Sequence, residues 1–201
     1  QAGSYELSSS MPIAQIIHKF VKGDVIRTKI VLIEGWNVDD LAEYVEYEKL
    51  YLRGDVIKAT KADFSQEFSF LKDKPKNISL EGYIFPDTYY VVKELTPEDF
   101  LKMALSNFDR KLSADLREEI AKQKKSVFKI ITMASMLEKE VKSLNDKKIV
   151  SGILWKRIKE GIPLQVDATV NYITGKSDAR VSIKDTQLNS KYNTYKYYGL
   201  P

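Results

Sequence analysis

Apolar positions recur with two different periods along this chain. Ile13-Ala14-Ile16-Ile17-Phe20-Val21 carries helical spacing, opened by Ser10 and Met11-Pro12 and stopped at Gly23. Thr28-Lys29-Ile30-Val31-Leu32-Ile33 is rich in β-branched residues and predicts a strand. Glu34-Gly35-Trp36 turns the chain, and Asn37 caps a helix to about residue 48, with Asp40 in the capping-box position. Leu52-Arg53-Gly54-Asp55 reads as a turn, with short helices at about 56–61 and 64–71 and a charged loop at 72–77. The aromatic-dense run from Leu80 to Val92 ends in a strand-like stretch.

The second half is patterned for helices. Thr96-Pro97-Glu98-Asp99 places a cap, a proline at the first helical position and acids suited to the dipole, and predicts a helix to about 112. Ser113 opens another to about 124, a third spans about 127–142, and Asn145-Asp146 starts a fourth that Gly161 ends. The tail, 165–201, is polar, Tyr-rich and expected to be loop-like. The fold class is α+β.

Composition changes the chemistry more than the fold. With 43% hydrophobic and 30% charged residues the chain is an ordinary globular sequence, and 201 residues suit one large or two small domains. It has no cysteine and a single histidine, His18, read as a surface or edge residue. Thiol nucleophiles, Cys-bound metals and His-rich metal sites are excluded, leaving carboxylates, Lys and Tyr for acid–base work. No metal and no cofactor is expected. The net charge of +4 suits an anionic partner without demanding one. Lys and Glu are intermixed along every helix, which argues against a nucleic-acid interface. No stretch approaches the roughly 20 apolar residues of a membrane span, and no signal peptide is visible. The chain starts at Gln1 without Met and stops at Pro201, and reads as a piece of a longer protein.

The segment Ser126–Val141 carries the sharpest chemical signal. On a helical wheel, Val127, Ile131, Ala134 and Val141 fall within roughly 60° of Glu138, and Glu140 falls roughly 160° away. Glu138 is therefore expected with the buried face and Glu140 toward solvent. A carboxylate on an apolar face is costly unless paired or protonated. Desolvation holds on to its proton, as a general acid near neutral pH needs. The alternative is a Glu at the rim of the stripe, paired with a Lys. Downstream, Gln165, Asp167, Thr169 and Asn171 alternate, so an extended chain would present all four on one face, either to sugar hydroxyls or as a solvated edge. Tyr192-Asn193-Thr194-Tyr195-Lys196-Tyr197-Tyr198 interleaves aromatics with amides and hydroxyls, as carbohydrate sites and single-strand nucleic-acid platforms both do. Asp87 and Tyr89 either line a cleft or fix a turn.

Several blocks together resemble one family. Leu80-Glu81-Gly82-Tyr83-Ile84-Phe85-Pro86-Asp87-Thr88-Tyr89, Ala134-Ser135-Met136-Leu137-Glu138-Lys139-Glu140, Leu164-Gln165-Val166-Asp167-Ala168-Thr169-Val170, and Tyr192-Asn193-Thr194-Tyr195 with Gly199-Leu200-Pro201 are similar to the signatures of the YceG-like family of endolytic murein transglycosylases. Gly3-Ser4-Tyr5-Glu6-Leu7 and Ile33-Glu34-Gly35-Trp36 fit as well. The resemblance implies a small LysM-like accessory region at 1–79, then a mainly helical lysozyme-like catalytic domain at 80–201 whose C-terminal end is cut short. It implies Glu138 as the single catalytic residue. Asp87, Tyr89, Gln165, Asp167, Thr169, Tyr192, Asn193, Thr194 and Tyr195 are the candidate substrate-binding residues. The implied substrate is the MurNAc–GlcNAc bond inside peptidoglycan glycan strands, cut to leave 1,6-anhydroMurNAc ends and to terminate nascent strands. The full-length protein would be anchored in the bacterial cytoplasmic membrane by one N-terminal helix, its catalytic part extracytoplasmic and monomeric, with cell-wall synthases as partners. Ala168 departs from the Pro common in the family. The rival reading is a non-catalytic peptidoglycan-binding or scaffolding module.

Overall fold

A computed structural model describes residues 3–176 and 180–201. The fold is α+β and mostly helical, with one two-stranded sheet. Two compact units divide the chain, Gln1–Ser113 and Ala114–Pro201.

In the first unit, strands β1 (Thr28–Val31) and β2 (Thr88–Val91) pair antiparallel, Thr28 opposite Val91 and Val31 opposite Thr88. One face is apolar: Ile30 in β1 and Tyr89 and Val91 in β2 are buried. Three helices cover the rest of this core: α2 (Val38–Tyr47), α3 (Arg53–Ala59) and α4 (Pro97–Lys111), preceded by α1 (Ile13–Lys22). The Asn37 side chain accepts from the Asp40 backbone N–H at 2.8 Å and the Asp40 carboxylate accepts from the Asn37 N–H at 2.9 Å, so the expected capping box is complete. Thr96 caps α4 through the Asp99 N–H, with Pro97 at the first helical position. The helix expected at 64–71 reduces to a single 3-10 turn, Ser69–Leu71. Upstream of it the Asp63 carboxylate accepts from the Ser65 N–H, and one turn closes where the Phe68 N–H reaches the Phe64 carbonyl at 2.9 Å.

The division between the two compact units falls after Ser113. The cause is β2: its partner β1 lies far upstream, and Leu80 donates its N–H to the Thr60 carbonyl at 2.9 Å. Residues 80–113 therefore pack with the first unit.

The second unit holds α5 (Ala114–Lys122), α6 (Val127–Glu140), α7 (Leu144–Glu160) and α8 (Asp167–Thr174). Its core is Met133, Met136, Leu137, Leu154, Leu164 and Val166. Ser143, ahead of the expected start at Asn145-Asp146, caps α7 by accepting from the Asp146 N–H. Gly161 ends it in the left-handed region at φ 65°, and the Ile162 N–H closes on the Arg157 carbonyl. The tail expected to be loop-like contains α8, so Asp167, Thr169 and Asn171 sit on a helix and not on an extended strand. Asp167 and Asn171 keep a common face, four residues apart; Thr169 turns to the opposite side and is buried. No helix among the described residues is long and apolar enough to cross a membrane.

Candidate active site

Of the two carboxylates of α6, Glu138 takes a different position from the one the helical wheel predicts. The buried arc of α6 is Met133, Met136 and Leu137, which lies roughly 100–160° round the axis from Glu138 at 100° per residue. Ala134, expected inside, is exposed, and Val127, Ile131 and Val141 are only half-buried. Glu138 consequently stands at the surface, its side chain 43% exposed, with Oε2 accepting from Lys147 Nζ at 2.6 Å. The rim position with a Lys partner is the arrangement the structure adopts. Glu140 is exposed, as expected, but lies on the same side of the axis as Met136. Its Oε1 accepts the Ala168 N–H in the first turn of α8 at 3.0 Å, a carboxylate at the positive end of a helix.

A second polar group is organised around the start of α8. Tyr195 donates its hydroxyl to Asp167 Oδ1. Burial, then the bond to Asp167, then the charges of Asp167 and Glu140 push the Tyr195 phenol up to about 12, with Arg157 opposing. Gln165 is exposed and has φ 54°, in the left-handed region that side chains other than glycine rarely take. Its neighbours pin it there. Arg157 donates to the Leu164 carbonyl at 2.6 Å, the Gln165 N–H reaches the Thr194 carbonyl at 3.0 Å, and the Val166 N–H reaches Thr194 Oγ1 at 3.0 Å. Such over-determined strain recurs at functional sites.

The aromatic–amide run divides into scaffold and surface. Asn193 is fully buried; its Nδ2 donates to the Thr186 and Leu188 carbonyls and its Oδ1 accepts from the Tyr195 N–H. Thr194 and Thr169 are buried and bonded hydroxyl to hydroxyl at 3.0 Å. These three side chains spend their polar atoms inside the protein. Tyr192 remains outward, 43% exposed, against the 46%-exposed Tyr172, ring centroids 5.3 Å apart.

Asp87 and Tyr89 belong to the first unit and to a closed network there. Asn107 Nδ2 donates to Asp87 Oδ2 at 2.8 Å and to the Tyr89 hydroxyl at 3.2 Å, while Tyr89 donates to the Phe85 carbonyl at 2.6 Å. The Asn107 bond, then the Thr88 N–H, holds the Asp87 carboxyl below the usual carboxylate range. With Arg110 and Lys111 these residues line a cavity of about 460 Å³. Among the described residues no group of three His, Cys, Asp or Glu side chains is placed to hold a metal.

Three contributors escape a sequence reading: Lys147, Arg157 and Asn107. Lys147 follows Glu138 by nine residues across a helix break, a spacing that carries no helical signal. Asn107 had a visible sign, being a polar residue inside the apolar face of α4 beside Ala104 and Phe108.

Comparison with known proteins agrees with this architecture. An endolytic murein transglycosylase of Bacillus subtilis is 34% identical over all of this chain, which spans 59% of that protein. One of Streptococcus pneumoniae is 27% identical over all of this chain, which spans 41% of it. The chain therefore spans about two-fifths to three-fifths of the curated relatives it matches. A crystal structure of a yceG-like protein from Listeria monocytogenes superposes with a TM-score of 0.75 at 32% identity, covering 98% of this chain and 68% of that one. The profile of the YceG-like family matches residues 1–201, the whole chain, and the protein belongs to that family.

Proposed function

We propose that this chain carries the catalytic part of an endolytic lytic murein transglycosylase, with Glu138 as its one catalytic carboxylate. The observation that carries the reading is the division of labour in the Glu138-Lys139-Glu140 block. Both carboxylates are exposed, but Glu140 is bonded to the backbone of α8, whereas Glu138 is bonded to a side chain, that of Lys147. The relatives named endolytic murein transglycosylases supply the substrate class, the glycan strands of peptidoglycan.

Most glycosidases use two carboxylates, but intramolecular transfer needs one. Protonated Glu138 gives its proton to the glycosidic oxygen between MurNAc and GlcNAc. The C1–O bond breaks with its electron pair going to that oxygen, and positive charge develops at the muramic C1. The C6 oxygen of the same sugar then attacks C1, and its proton passes to the Glu138 carboxylate. The product is a 1,6-anhydroMurNAc end, no water is consumed, and Glu138 is returned protonated. A bound strand covers the carboxylate and supplies the desolvation that the helix face does not. Gln165, Asp167, Tyr192 and Tyr195 position the sugars, while Thr169, Asn193 and Thr194 hold the loop that presents them. In this reading residues 1–79 form the LysM-like accessory region and 80–201 the lysozyme-like catalytic part, whose residues 80–113 pack within the first compact unit, and the protein works outside the cytoplasmic membrane to terminate nascent strands.

Mass analysis of products from purified glycan strands tests it. Wild-type protein is expected to leave anhydro ends. Glu138→Gln, similar in size but unable to donate the proton, is expected to leave none at an unchanged Tm. The exposure of Glu138 and of the Tyr172–Tyr192 pair also suits a glycan-binding module without catalysis. Absence of anhydro ends with wild-type protein, together with equal strand binding by both forms, would favour that module.

A further inference from the structure

We infer that Lys147 is a positioning residue for the transfer reaction, selecting which oxygen of Glu138 exchanges the proton and stabilising the carboxylate when the proton leaves. The inference rests on the reading of Glu138 as the acid. Three observations carry it.

The first is the contact itself. Lys147 Nζ lies 2.6 Å from Oε2, and the lysine side chain is the more enclosed of the two, 28% exposed. An ammonium has three donors and no acceptor. Its positive charge beside Oε2 draws the negative charge to that oxygen and favours the carboxyl proton on Oε1. The pair therefore assigns Oε1 to the substrate and Oε2 to the protein.

The second is how the turn is built. Only Val141, Lys142 and Ser143 separate α6 from α7, so the first turn of α7 folds back beside the last turn of α6. Ser143 locks that turn, accepting the Asp146 N–H at 3.1 Å and donating to Asp146 Oδ2 at 2.6 Å. Lys147 follows directly on the locked turn. Its neighbour Lys148 carries the same charge but is exposed.

The third is local cost. Lys147 sits at the start of α7, where the helix dipole disfavours a cation. A helix optimised for stability alone would place that charge near its other end. Glu138 compensates for the misplaced charge.

The consequence for rate follows from where charge develops. With Glu138 protonated, Lys147 faces a neutral group and gains little. As Oε1 releases its proton to the glycosidic oxygen, a full negative charge forms beside a fixed ammonium. The interaction is thus stronger in the transition state than in the ground state, the condition for raising kcat and not merely tightening binding. Lys147 touches only Glu138 in this scheme and acts through it.

The test measures kcat, KM and Tm on purified glycan strands for Lys147→Met, Lys147→Gln, Lys147→Arg, Lys148→Met and Glu138→Gln. Both neutral replacements are expected to lower kcat about 10- to 100-fold, less than the roughly 100- to 1000-fold lost with a donor that touches the reacting oxygen, because Lys147 acts through Glu138. KM should stay within about twofold, since uniform binding is not what is lost. Lys147→Arg should recover most of the rate, and Lys148→Met should behave as wild type. Wild-type kcat in both neutral variants, or an equal loss in Lys148→Met, overturns the inference. So does a loss that Arg fails to restore. If Glu138→Gln is inactive while the neutral variants are active, Lys147 alone is misassigned. If Glu138→Gln is itself active, the reading of Glu138 falls first.

Discussion

Asn193 shows how residue type and residue role part company. An amide between two tyrosines suggests a hand for sugar hydroxyls, yet its three hydrogen bonds all go to backbone groups of its own loop. Truncation to Ala would strip the Thr186 carbonyl and the Tyr195 N–H of their Asn193 partner and leave the Leu188 carbonyl to the Ser190 N–H, in a site that is 0% exposed. Asn193→Ala is expected to lower unfolding free energy by roughly 2–4 kcal/mol, given about 1–3 kcal/mol for a buried group left unsatisfied. Urea unfolding measures this directly. A variant as stable as wild type yet unable to cut strands would make Asn193 a substrate contact after all. Glu138 is the opposite case, since a surface ion pair of this exposure contributes little to stability and its replacement should be felt in turnover alone. Sequence could nominate both residues, because amides and carboxylates are chemically conspicuous. It could not tell which pointed inward, because that is decided by Thr186, Leu188 and Lys147, none of them at a spacing that local periodicity encodes.

At the scale of elements, the starts of α2 and α4 were legible and the facing of α6 was not. A capping box or a Thr-Pro start is settled within four residues by groups that touch each other. The facing of α6 depends on which of two apolar arcs meets α7 and α8. Val127, Ile131, Ala134 and Val141 form one arc; Met133, Met136 and Leu137 form the other. A helix with apolar residues nearly all round leaves the wheel without a basis for choosing. The long flexible Met and Leu side chains fill the core with Leu154 and Leu164. α8 was hidden for a related reason: polar residues alternating with Ala and Val fit an extended edge as well as a short helix. The chosen phase gives Glu140 a job, since its carboxylate closes an orphan N–H at the start of α8. Glu140→Ala is expected to cost about 1–2 kcal/mol, as helix N-terminal acceptors do. Glu140→Gln keeps an acceptor oxygen and should cost only a few tenths. Equal, near-zero losses in thermal or urea unfolding would show that the contact carries no stability.

At the scale of the molecule, the two units differ in how they store ionisable groups, and this predicts unequal responses to pH. In the first unit, among the described residues, four carboxyls are held below their ordinary values: Asp24 by Lys19, Asp63 by Ser65, Asp87 by Asn107 and Glu94 by Ser4. In the second, among the described residues, Asp185 is held down, chiefly by Lys176. A carboxyl depressed in the folded state stabilises the protein above its unfolded value, near 3.8 for Asp, and loses that contribution as pH falls through the folded value. Phenols show the same asymmetry. Burial pushes Tyr51 up to about 12 and raises Tyr83 and Tyr89 in the first unit, against Tyr195 at about 12 in the second. A raised phenol costs nothing below 10, its ordinary value. As pH climbs from there the unfolded chain ionises first, so stability is lost. Both ends of the scale therefore tax the first unit more heavily. The chain has two tryptophans, and one falls in each unit: Trp36 in the first and Trp155 in the second. Trp155→Phe leaves a reporter of the first unit, and Trp36→Phe one of the second. Urea midpoints followed by fluorescence are expected to drop further for Trp36 than for Trp155, both from pH 7 to 3 and from pH 7 to 11. Midpoints that shift together at both extremes would mean that the units unfold as one, with the titrating groups of the first unit drawing equally on the stability of the second.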